Sequence, residues 1–218
     1  MDFDISSPFY LILPLALMSL IPFVAVLGTS FLKLVVVFGI LRNATGLQQI
    51  PPNMALNSLA IILTIYIMAP IGIEAYKTLE QSQQEISLED DSWKFAFEAS
   101  AEPYRKFLAK NTTERERKFF LKTARALWPP EYQEELAVDS LMIMIPAFAL
   151  GELTKAFQVG FLLYLPFIII DLIVSNILLA MGMMMVSPMT ISLPFKLLLF
   201  VLLDGWTKLV HGLVLSYQ

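Results

Sequence analysis

Between Ile5 and Ile73 the chain carries only two formal charges, Lys33 and Arg42, which leave uncharged runs from Ile5 to Leu32 and from Asn43 to Ile73. A helix that crosses the roughly 30 Å hydrocarbon layer of a bilayer needs about 20 apolar residues, each rising about 1.5 Å. Both runs are long enough. Buried helices of a soluble domain would need a polar shell, and 218 residues of which 57% are hydrophobic and 16% charged cannot supply one. The expected fold class is therefore all-α: an integral membrane-type helical protein with two long, broken helical hairpins and a small helical polar insert between them. The hairpins are placed at residues 1–73 and 140–218 and the insert at 74–139.

The formal charge of -4 at pH 7 offers no basic face to displace counterions from phosphates, which excludes nucleic acid as a partner. There is no cysteine, and His211 is the single histidine, so disulfide frameworks, thiolate sites and histidine clusters are excluded. No HExxH, GxSxG, Walker A or metal-ligand spacing occurs, so neither an enzyme nor a bound cofactor is expected. The first basic residue is Lys33, so the basic n-region of a cleaved signal peptide is missing and the first apolar stretch is expected to stay in the mature protein.

The insert holds fourteen of the nineteen acidic residues and ten of the fifteen basic ones. Asn111 with Glu114, and Thr113 with Glu116, are alternative capping boxes for a helix through Phe119, Phe120, Leu121, Ala124 and Leu127 that Pro129 and Pro130 stop. A preceding helix is predicted over Ser92 to Ala109, with Phe97, Ala101, Tyr104 and Leu108 on one stripe. Glu80 to Asp91 reads as a polar linker.

The last segment is broken by Glu152, Lys155, Asp171, Lys196, Asp204 and Lys208, and by Pro146, Pro166, Pro188 and Pro194. Lipid tolerates neither bare charges nor missing backbone donors, so these helices should pack against protein or line a wet cavity. A lone charge in hydrocarbon costs about 2.5 kcal/mol or more. Lys33, Glu152 and Lys196 should accordingly pair, in an ionic cluster joining the hairpins or neighbouring subunits. The competing reading is a proton or ion relay through Glu152, Asp171 and Asp204, as in a small ion-coupled secondary transporter. Asp204, Lys208 and His211 share a helical stripe on which Asp204 and Lys208 form a favourable pair, and His211 is expected only to pack. Arg42 and Lys196 place both hairpin turns in the cytoplasm, and both chain ends and the insert on the other side.

Two turns stand out. Arg42, Asn43, Gln48, Gln49, Pro51, Pro52 and Asn53 make a polar turn, either a plain connector or a contact for a partner protein. Met181, Met183, Met184, Met185 and Met189 put five of eleven methionines within nine residues. They are either apolar filler or a pliable ring of unbranched thioethers, with Gly182 supplying the bend.

The stretches LRNATGLQQIPPNMALNSL (Leu41 to Leu59) and PAFALGELTKAFQVGFLLYLPFIIIDLIVSNILLAMGMMMVSPMTISLPFKLLLFVLLDGW (Pro146 to Trp206) closely resemble the SctR/FliP family, the R component of the type III secretion export gate and its flagellar counterpart. Gly151 and Thr45 depart from the family pattern where a serine and a leucine are expected, which bears on local packing only. The ending VSPMTISLPFKLLLFVLLDGWTKLVHGLVLSY is similar to the injectisome branch. The resemblance implies a ring of five copies with S and T subunits, inside the secretion-base ring and above an export-gate protein, through which unfolded secreted substrates pass. It also implies a bacterial inner-membrane location with the assembled gate extending to the periplasmic side, energy supplied by other components, and Met183, Met184 and Met185 as the family's methionine gasket.

Overall fold

The computed structural model describes residues 9–47, 49–82, 92–133 and 136–218; Gln48 and most of the expected linker, residues 83–91, lie outside them. Among the described residues all regular structure is helical, as the apolar runs required. The first arm is α1 (Phe9–Leu27) and α2 (Phe31–Ala44), broken at residues 28–30, and α3 (Asn53–Ser82) returns antiparallel to it and continues past residue 73. The insert contributes α4 (Ser92–Asn111), α5 (Glu114–Leu127) and a 3₁₀ turn at Pro130–Tyr132. The second hairpin pairs α6 (Leu141–Ala180) with α7 (Pro188–Leu202) and α8 (Gly205–Leu215).

At about 1.5 Å per residue, the 40-residue α6 is roughly 60 Å long, about twice the hydrocarbon layer, so an upright crossing leaves about half of it outside lipid. Pro146 and Pro166 both lie inside it. α3 and α6 are each long and apolar enough to cross a membrane, and α7 with α8 makes a third span if the 59° bend between them is counted as one broken crossing. Asp204 takes the left-handed conformation at that bend, with φ of 50°. Aspartate tolerates this region better than most side chains.

In α2, Leu34, Val37, Phe38 and Leu41 fall on one face at i, i+3, i+4 and i+7, and all are buried. They pack with Leu56 and Ala60 of α3, Ala156 and Phe167 of α6, and Leu209 and Leu213 of α8. Gly160 sets the α2–α6 spacing, because a Cβ there would run into the side chain of Ile40. A second core joins Phe107 and Leu108 of α4 to Met144, Phe148 and Tyr217. A third seats α5 through Leu121 and Ala124 on Ile143 and Leu136.

Of the two capping boxes, the chain uses Thr113: the Glu116 amide donates to Thr113 Oγ1 (3.3 Å) and the Thr113 amide to Glu116 Oε2 (3.1 Å). Asn111 instead closes α4, donating to Phe107 O (2.9 Å). The α5 stripe is narrower than expected, since Phe119 and Leu127 are exposed. In α4, Leu108 is buried and the Tyr104 hydroxyl donates to Gly28 O at 2.8 Å, tying the insert to the break in the first arm. Burial pushes that phenol up to about 12, so it remains a donor across the physiological range. The Phe97 side chain lies outside the described residues. Large apolar side chains remain bare on the outer faces, such as Ile62 and Ile65 of α3 and Phe161, Leu162 and Ile173 of α6. A chain in water would bury these; lipid or further chains must cover them here.

Gly160→Leu should force α2 from α6 and lower stability by about 1–3 kcal/mol. Thermal unfolding of the detergent-solubilised chain measures this, and Ile40→Ala in the same background should recover part of the loss.

Candidate functional site: two ion centres and a bare methionine turn

Glu152 lies one residue beyond Gly151 on the buried face of α6, with no solvent exposure. Its carboxylate pairs with Lys33 Nζ of α2 at 3.2 Å and with Lys155 Nζ, one turn along α6, at 3.0 Å. The Tyr217 hydroxyl donates to the same carboxylate. Lys33 Nζ also donates to Ser216 Oγ (2.9 Å) and sits 3.6 Å from the centre of the Tyr217 ring, a cation–π arrangement. Lys155 Nζ donates to Asn111 O at 2.6 Å, which reaches the end of α4. Three segments distant in sequence thus meet at one carboxylate, and Lys155 links them to a fourth.

Lys196 stands apart from Lys33 and Glu152. It is buried on α7 and pairs with Asp171 of α6 at 2.6 Å, while donating to Ala44 O at 3.3 Å. Ser192 Oγ donates to the other Asp171 oxygen at 2.6 Å. The antiparallel α6–α7 hairpin decides this, because residues 171 and 196 lie opposite one another across the turn whereas Glu152 is about five helical turns further from it. The residues expected to form one cluster are therefore divided between two centres. Lys155, Tyr217 and Ser192 complete them. The Glu152–Lys155 spacing of three was a usable signal; Tyr217 and Ser192 had none, since only folding brings them near.

Asp204, Lys208 and His211 are all exposed, and the expected Asp204–Lys208 ion pair is not formed: among the described residues neither makes a salt bridge. The left-handed backbone of Asp204 takes its side chain off the α8 stripe, toward a 420 Å³ cavity it shares with Arg42 and Trp206.

In the polar turn Arg42 is spent internally. Its Nη1 donates to Asn53 Oδ1 and to Pro51 O (3.5 Å), while Nε is buried with no acceptor among the described residues. The Ile50–Pro51 peptide is cis. Asn43, Gln49, Pro52 and Asn53 face outward, Pro51 is half-buried, and Gln48 lies outside the described residues.

At the turn of the second hairpin Gly182 adopts φ of 72°, a conformation glycine enters freely, and the chain reverses between α6 and α7. Met183, Met184 and Met185 are 42%, 84% and 101% exposed, so this turn is not core filler within the chain. Met181 and Met189 beside it are also bare.

The class defined by this fold is an all-helical membrane protein whose broken helices carry ion pairs inside the chain and whose methionine turn is left uncovered. The FliP family profile matches residues 14–213. The chain is 56% identical over 207 residues to "Yop proteins translocation protein R" of Yersinia pestis, covering 95% of each chain. It is 50% identical over 213 residues to "Virulence protein YscR" of Salmonella typhimurium, covering 97% of this chain and 98% of that one. It is 47% identical over 204 residues to "Hypersensitivity response secretion protein HrcR" of Ralstonia nicotianae, covering 92% and 93%. The chain belongs to the FliP family.

Removing one member of a buried ion pair costs about 3–5 kcal/mol, because the partner charge is left uncompensated. Glu152→Gln should therefore lower the thermal stability and the yield of assembled complex far more than Glu80→Gln, at an exposed position of α3, as measured by unfolding in detergent and by native gel.

Proposed function

We infer that the chain is the R component of a type III secretion export apparatus, serving as a core channel subunit. Copies of it, five by family resemblance, assemble with S and T subunits into a helical ring through which unfolded proteins pass. Kinship to translocation and virulence proteins over nearly the whole of both chains supports the injectisome branch.

The observation that carries the channel reading is the bare methionine turn. Three consecutive thioethers follow the glycine bend at Gly182 and stand exposed among the described residues, Met184 and Met185 almost fully. Gathered from several copies around an axis, they would make a flexible apolar constriction that packs shut against ions and reshapes around a passing polypeptide. Sister subunits covering the bare faces of α3 and α6 would explain why helices this broken are tolerated. The exposed Asn43, Gln49, Pro52 and Asn53 suit a contact with the S subunit or the export-gate protein. Lys196 reaching Ala44 puts the start of the polar turn beside α7, which fits a common cytoplasmic side for Arg42 and Lys196.

The transporter reading gains no support from the acids. Glu152 holds two lysines, Asp171 holds one, and Asp204 stands in a third setting, which suits pairing rather than proton relay.

Replacing Met183, Met184 and Met185 together with alanine should raise small-ion conductance through the assembled complex while some export continues. Background conductance with assembly intact would sink the sealing role.

A further inference from the structure

A cavity of 590 Å³ runs between α6 and the α7–α8 bend, walled mainly by apolar side chains such as Phe167, Phe200 and Leu213. That volume is in the range of small-molecule sites. Its lining contains Lys33, Lys155 and Lys208 and no acidic residue. Lys33 and Lys155 share the single carboxylate of Glu152, which leaves that centre with one positive charge in excess. Lys208 adds a second, being exposed and without an ion pair among the described residues. An ammonium at membrane depth without a counterion is costly, and basic pockets between membrane helices take anionic headgroups.

We propose that this groove binds one anionic phospholipid, with an acyl chain along the α6–α8 wall and the headgroup phosphate on Lys208 and the outer side of Lys155. Each half of the ligand answers to a different part of the site. The apolar wall accepts hydrocarbon, and the charge excess selects a headgroup of net negative charge over a zwitterionic one, whose own ammonium offsets its phosphate. A transported anion would find no polar lining beyond the lysines, Gln158 and Ser216, so the apolar wall favours a lipid over a free phosphate. Gly212 lines the groove, and a Cβ placed there meets nothing within 4 Å, so the space beside α8 is open. This inference does not depend on the export reading, only on the chain being embedded in a membrane.

The test uses the full chain, delipidated in detergent and offered phosphatidylglycerol or phosphatidylcholine, with bound lipid counted by native mass spectrometry. The unaltered chain should retain phosphatidylglycerol about thirtyfold over phosphatidylcholine, the ratio expected of two lysine–headgroup contacts at about fivefold each. Lys208→Gln should lower that preference about fivefold. Gly212→Leu should abolish retention of both without lowering the unfolding temperature, since its side chain enters open space and leucine favours the helix. Equal retention by the unaltered chain, or undiminished binding by Gly212→Leu, overturns the proposal. So does efficient cross-linking of a Gly212→Cys variant to a neighbouring protein in native membranes, which would assign the groove to a protein partner.

Discussion

A carboxylate with no access to water costs several kcal/mol to desolvate, and the surrounding structure must repay it with good geometry. Glu152 is such a group, and most of the long-range organisation of the chain is the repayment. Lys33 comes from the first hairpin, Lys155 from the next turn of α6 and Tyr217 from beyond α8, while Ser216 and Asn111, the latter at the end of α4, hold the two lysines in turn. Apolar helices slide and rotate against one another at little cost. A charge that must meet two ammoniums and a phenol fixes their register.

The packing follows this constraint. With Lys33 anchored, the buried face of α2 lies along α6, where Gly160 allows close approach under Ile40. With Tyr217 anchored, α8 folds back on the same core through Leu209 and Leu213, and the Tyr217 ring stacks on Phe107 of the insert, 6.0 Å between centroids. The Lys196–Asp171 centre does the same on a smaller scale, pinning α7 to α6 near the methionine turn. The turn itself is left bare at the end of the helices that this pair joins.

Much of the architecture was legible because it rests on local periodicity. The uncharged runs announced α1 and α3, Pro129 and Pro130 announced the end of α5, and Thr113 with Glu116 was one of two capping patterns that the sequence left open; α2, which carries Lys33 and Arg42 between the two runs, and the break before it were not announced. Legibility failed where an answer needed a distant partner. Phe119 and Leu127 have the spacing of a buried stripe but face outward, because α6 offers α5 a contact only as wide as Leu121 and Ala124. Asp204 and Lys208 have the spacing of an ion pair, and a left-handed residue at the bend separates them.

What the sequence determined by itself was solvent and class: composition selects lipid over water, run length selects helices that can span it, and two long motifs select the family. Which lysine neutralises which acid was decided only in three dimensions. Pairing energy depends on distance and burial, and residues 33, 152 and 217 acquire both only when the hairpins close on each other. The exposure of Met183, Met184 and Met185 was settled the same way, since whether a thioether fills a core or is left bare depends on what the rest of the chain brings to cover it.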